Sequence, residues 1–135
     1  MIIRLFLAAA LGAVSGVLAG CGESEPVCQN EVIREALSPD GELKASLFRR
    51  ACGGPTGMSS QVSILPAGAA EADAGNALIA DTAGGAAPAA AWGGPDVAME
   101  WTSPRAVTLT YPVRARIIVG ESSVRGVAIS HRSRD

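Results

Sequence analysis

The tetrapeptide Ser38-Pro39-Asp40-Gly41 constrains this chain more than any other feature. Pro followed by Asp and closed by Gly is a type I turn signature, with Gly41 suited to the left-handed position that completes a bulge. The flanking segments, about 30–37 and 42–50, alternate apolar and polar residues. The spacing therefore predicts a β-hairpin with a three-residue loop, 39–41, and Ser38 opposite Glu42. Carried outward with no further bulge, that register sets Cys28 opposite Cys52. It places Leu37 with Leu43, Ile33 with Leu47 and Glu31 with Arg49 on one face, the expected core side with an ion pair at its rim. Val32 with Phe48, Arg34 with Ser46 and Ala36 with Lys44 fall on the other face.

Beyond the hairpin, strand signals continue at Ser59–Leu65, Asn76–Ala80, Val97–Trp101, Ala106–Tyr111, Val113–Val119 and Val124–His131. These runs are short, rich in β-branched residues and separated by turn residues. Val107, Leu109 and Tyr111 share one face. Val113, Ala115, Ile117 and Val119 share another, with Arg114 and Arg116 opposite. Gly120-Glu121-Ser122-Ser123 reads as a hairpin turn into the last strand. Between Pro66 and Pro95, Ala, Gly and Pro supply 22 of 30 residues. Side chains that small bury little apolar area against the entropy of ordering, so a flexible insertion is expected at about 66–95. The fold class expected is all-β: an antiparallel meander of about seven to eight strands, closed as a small sandwich or open barrel.

The first twenty residues have a different character. Arg4 precedes an apolar run from Leu5 to Ala19 that is shorter than the roughly 20 residues a membrane-crossing helix needs. A short positive start, an apolar centre and small residues at the end match a cleavable secretory signal. The end of the run, Leu18-Ala19-Gly20-Cys21, resembles the lipobox of bacterial lipoproteins. That resemblance implies diacylglyceryl transfer to the Cys21 thiol, cleavage after Gly20 and acylation of the new amino terminus. Several acyl chains make a stable membrane anchor where one does not. Gly22 rather than Asp follows the cysteine. By the family's sorting rule this implies the periplasmic face of the outer membrane in a two-membrane cell. Residues 21–29 then form a tether, 30–131 the β domain and 132–135 a tail. Export places the chain where disulfides persist. With Cys21 acylated, Cys28 and Cys52 remain as an even pair, in agreement with the hairpin register. Such a bridge closes a loop of about 25 residues and contributes roughly 3 kcal/mol.

The set Ser38-Pro39-Asp40-Gly41, Ala45, Phe48-Arg49, Cys52-Gly53, Thr56-Gly57, Val62-Ser63-Ile64-Leu65, Trp101 and Leu109 with Tyr111 resembles a group of small bacterial lipoproteins of unknown function. The resemblance spans most of the chain after the leader and implies an exported β-rich domain. It carries over no catalytic residues, and the Ala/Gly-rich stretch departs from it. The same turn followed by an alternating strand also resembles a blade edge of TolB-type propellers, but about eight strands are too few for a closed propeller.

Charge excludes some functions. With 11 Lys+Arg against 13 Asp+Glu, the net charge is -2, and losing Arg4 with the leader makes it -3. No basic stripe of the kind nucleic-acid binders carry is present, so no nucleic-acid partner is expected. A lone His131 excludes a multi-His metal site within one chain, and no cofactor or metal is expected. Asp73, Asp81 and Asp96 lack the spacing of a Ca²⁺ loop. Asp40 reads as a turn residue. Arg125, His131, Arg132 and Arg134 make the end of the chain locally basic, which fits solvated charge better than a lipid-headgroup or glycan site. Trp101 reads as a core residue, and Trp92, in Gly-rich sequence, as an exposed one. No catalytic residues are assigned. The function expected is a lipid-anchored envelope protein that acts as a non-enzymatic binding module, its partners the membrane and an envelope protein or glycan. Two alternatives are an envelope enzyme, with a site on the Cys52–Met58 loop and the C-terminal Arg cluster, and a small-ligand carrier. The first needs a free thiolate at Cys52. The second is disfavoured by an aromatic content of only 4%.

Overall fold

The computed structural model describes residues 28–52 and 58–135. The leader 1–20, the acylation site Cys21, most of the tether and the middle of the Cys52–Met58 loop lie outside the described residues. Those residues form nine strands and no helix: β1 (Gln29–Leu37), β2 (Leu43–Ala51), β3 (Ser59–Pro66), β4 (Leu78–Asp81), β5 (Ala98–Ser103), β6 (Ala106–Pro112), β7 (Arg116–Gly120), β8 (Ser123–Val124) and β9 (Val127–Arg134). A first sheet has the order β1-β2-β3-β4-β7 and a second the order β5-β6-β9-β8. The all-β class agrees with the sequence, and the two sheets realise the sandwich, one of the two closures the sequence left open. One pair, β6 with β9, runs parallel, so the chain is not a strict meander.

The core lies between the sheets. Ala45 and Leu47 of β2, Val62 and Ile64 of β3 and Leu78 and Ala80 of β4 meet Val107 and Leu109 of β6 and Val127 and Ile129 of β9. The period-2 spacing of each set is what turns one face of each strand inward. The sheets are also fastened along the β1–β5 side. Trp101 Nε1 donates to the Ala36 carbonyl at 2.9 Å, and Arg34 Nη2 donates to the Val97 carbonyl at 2.6 Å and to Asp96 at 3.1 Å. Trp101 packs against the core as expected.

The hairpin corrects the expected register in an instructive way. Gly41 N–H donates to the Ser38 carbonyl and Gly41 takes a φ of 72°, so the turn forms where its sequence places it. Ser38, however, pairs with Leu43, its N–H donating to the Leu43 carbonyl at 2.8 Å. The loop therefore holds four residues, 39–42, rather than three. Asp40 is the reason. Its Oδ1 accepts from both Ser38 Oγ and the Glu42 N–H, holding Glu42 inside the loop. Close to the turn every pair is offset by one, so Leu37 faces Lys44 and Arg34 faces Leu47. A bulge at Ile33 then inserts one extra residue into β1 and cancels the offset. From Val32↔Phe48 outward to Gln29↔Ala51 the expected pairing is restored, and Cys28 and Cys52 meet at disulfide-bonding distance.

The faces change accordingly. Leu37, expected in the core, is 62% exposed, whereas Phe48, expected on the outer face, is fully buried. Phe48 does lie on the outer face of the first sheet, and the segment between β3 and β4 covers that face. Gly75 N–H donates to Gln61 Oε1, Asn76 N–H donates to Ser63 Oγ, and the Asp73 carbonyl accepts from Asn30 Nδ2. A Cβ at Gly75 would stand 2.6 Å from the Leu78 carbonyl oxygen, so only Gly permits this approach. The Ala/Gly/Pro-rich stretch thus carries β4 and a strap over β2 and β3.

Its second half runs over Ser60, whose hydroxyl donates to the Pro95 carbonyl at 2.5 Å and accepts from Trp92 Nε1 at 2.9 Å. Trp92, expected to be exposed, instead packs against the core.

Two further expectations change. Residues 113–115 form a turn, and β7 starts only at Arg116, pairing with β4 in the first sheet. Gly120–Ser123 is a crossover between sheets. The tight turn lies at Arg125-Gly126, both at positive φ, the geometry of a two-residue hairpin loop. β9 runs on to Arg134, through the residues expected as a tail.

Two stability changes follow, each read by urea denaturation. Nothing lies within 4 Å of a Cβ at Gly41, so Gly41→Ala carries backbone strain alone and costs about 1 kcal/mol, with Gly41→Asn costing less. Ser60→Ala strips partners from the Pro95 carbonyl and the Trp92 indole and costs about 1–3 kcal/mol.

Candidate functional site

The strap leaves one end of the first sheet's outer face open. There, a groove of about 620 Å³ is lined by Arg50, Cys52, Met58, Ser59, Ile79, Asp81, Thr82, Gly84, Gly93, Arg116 and Ile118. Strand alternation explains the lining. Arg50 lies two residues beyond Phe48 and pairs with Ser59. Gln61 pairs with Ile79 on the same face, and Asp81 pairs with Arg116 across the β4–β7 ladder. The disulfide closes the end of the groove, since Cys52 continues β2 beyond Arg50.

Two guanidinium groups flank this groove. Arg50 Nη1 donates to Asn30 Oδ1 at 2.7 Å, which steadies its head group. Arg116 grips Asp81 through Nε and Nη2. That grip, assisted by the Ala83 N–H, holds the Asp81 carboxyl below the usual carboxylate range, against a smaller opposing effect of burial. The apolar lining is Met58, Ile79 and Ile118. Ile118 is 56% exposed because a shift in register between β4 and β7 makes it the extra residue of the edge strand. The groove therefore offers donors of fixed charge beside an apolar strip.

Other residues singled out in the sequence are dispersed. Asp73, Asp81 and Asp96 stand apart, Asp81 bound to Arg116 and Asp96 to Arg34 and Arg134. Among the described residues no three His, Cys, Asp or Glu side chains are grouped so as to hold a metal ion. His131 Nε2 donates to the Glu121 carbonyl at 2.7 Å, and its Nδ1 lies 3.2 Å from Tyr111 OH. Burial raises the pKa of Tyr111. The basic C-terminal residues do not form one patch. Arg125 reaches the Ile64 carbonyl, and Arg134 reaches the carbonyls of Thr110 and Asp96. Cys52 is joined to Cys28. The sequence reading missed Arg50, Ser59, Thr82, Arg116 and Ile118 as a group. Alternation along β2 could have placed Arg50 on the face of Phe48, but nothing local assigns β7 to the same sheet. Comparison with protein-family models, with curated proteins and with solved structures gave no match, so the groove is read from its own chemistry.

Asp81 makes the groove pH-sensitive. A carboxyl whose folded pKa is lowered contributes stability that is present above its unfolded value and lost as pH falls through the folded one. Asp81→Asn is expected to cost about 0.5–1 kcal/mol at neutral pH. The difference from the parent protein should fade as pH drops below about 4, when followed by urea denaturation across that range.

Proposed function

We propose that this chain is a lipid-anchored lipoprotein of the bacterial envelope, and that its β-sandwich is a non-enzymatic binding module. The observation that carries the reading is the pairing of Cys28 with Cys52. The chain has three cysteines, so the pairing leaves Cys21, the one that ends the lipobox-like Leu18-Ala19-Gly20-Cys21. A disulfide across a hairpin is stable outside the cytosol and would be reduced within it, which fits export. It also supports binding over catalysis at the Cys52–Met58 loop, because a sulfur held in a disulfide offers no thiolate to attack a substrate. The groove beside that disulfide is the surface we assign to binding. Its partners would be the anchoring membrane and an envelope protein or glycan, at the periplasmic face of the outer membrane where a cell has two membranes.

Intact mass spectrometry of protein extracted from membranes tests the reading. The expected species lacks residues 1–20 and carries fatty acyl groups on Cys21. Cys21→Ser should be unacylated and leave the membrane fraction. A native chain that keeps its leader and bears no acyl group would refute the proposal.

A further inference from the structure

We infer that the groove at the disulfide end of the first sheet receives the headgroup of an anionic phospholipid from the membrane that anchors the chain; this rests on the lipoprotein reading above. Chain length sets the position. Six residues lie between Cys21 and Cys28, so seven Cα–Cα steps give a reach of at most about 25 Å when fully extended. Cys28 is bonded to Cys52, and Cys52 lines the groove. The Ser38–Gly41 turn lies at the opposite end of β1, about 30 Å along a nine-residue strand. The groove end is therefore the end the anchor holds near the bilayer.

The chemistry of the groove suits that neighbour. Among its charged lining residues, Arg50 and Arg116 outnumber Asp81, so the groove is net cationic in a chain whose net charge is negative. A guanidinium presents paired donors that match phosphate oxygens. Arg50 uses Nη1 on Asn30, and Arg116 uses Nε and Nη2 on Asp81, so each head group keeps donors beyond those contacts. Met58, Ile79 and exposed Ile118 form an apolar strip beside these charges, as the boundary between headgroup and acyl chain requires. The volume of about 620 Å³ falls within the range of small-molecule sites. The tether sequence carries two carboxylates, Glu23 and Glu25, as the competing anions.

Hydrogen–deuterium exchange on the purified acylated protein tests this. The protein is reconstituted in phosphatidylcholine vesicles and in vesicles where part of that lipid is replaced by phosphatidylglycerol. Exchange in peptides covering Arg116–Gly120 and Thr82–Gly84 should slow about fivefold with phosphatidylglycerol, and the slowing should weaken in high salt. Arg50→Gln and, separately, Ile118→Glu should remove most of it, while unchanged protection of β2 and β3 shows that each variant is folded.

Equal exchange in both vesicles, or slowing that survives both substitutions, would overturn the inference. So would equal slowing by soluble glycerol phosphate in neutral vesicles, which would indicate a free-anion site. Slowing that appears in neutral vesicles, and that Glu23→Gln with Glu25→Gln removes, would assign the groove to the tether instead. Intact mass on the same sample separates the two proposals. An unacylated chain refutes the lipoprotein reading, and an acylated chain without slowing refutes headgroup docking alone.

Discussion

The rest of the structure depends on a cancellation in the first hairpin. Asp40 holds Glu42 within the loop, which displaces the ladder by one residue. The bulge at Ile33 displaces it back. A single uncancelled step would turn the far half of β1 over, because strand side chains alternate with a period of two. Cys28 would then no longer face Cys52, and Asn30 would no longer lie beside Arg50. With both steps present, the disulfide closes the ladder at one end. Arg105 closes it at the other, binding Asp40 and Glu42 from the β5–β6 turn.

A closed hairpin gives β2 two buried faces. Ala45 and Leu47 belong to the intersheet core, while Ser46 and Phe48 lie on the opposite face, equally buried. In so small a domain the second covering comes from the strap, and the strap can lie close only because its residues are small. Gly75 sits against Gln61 and the Leu78 carbonyl on the outer face, while Gly94 sits on Ser60, on the face of Val62 and Ile64, at the end of the intersheet core. The Ala/Gly/Pro composition, which deprives this segment of a core of its own, is what lets it close over another one. Where the strap stops, the groove begins.

Features governed by local chemistry were legible in the sequence. The turn at Ser38–Gly41, the left-handed Gly41, the cores of β2, β3 and β6 and the all-β class all follow from turn residues and period-2 alternation. Features set by pairing between distant strands were not. Nothing near Ile33 announces a bulge, since the extra residue is required by a loop several positions away. Val113–Val119 alternates well enough to read as one strand, yet its first residues form a turn and the rest joins β4 instead of β6. The groove was the least legible part. Arg50, Asp81 and Arg116 lie on three strands that only the sheet order brings together, and Asp81, weighed in the sequence as a cation ligand, serves as the partner of Arg116.

Non-reducing peptide mapping of the native protein tests the central arrangement most directly. One cross-linked peptide pair joining Cys28 to Cys52, with Cys21 in neither strand of it, is the expected result. A free Cys52 thiol, or Cys21 found in the cross-link, would contradict both the hairpin register and the assignment of the third cysteine to the anchor.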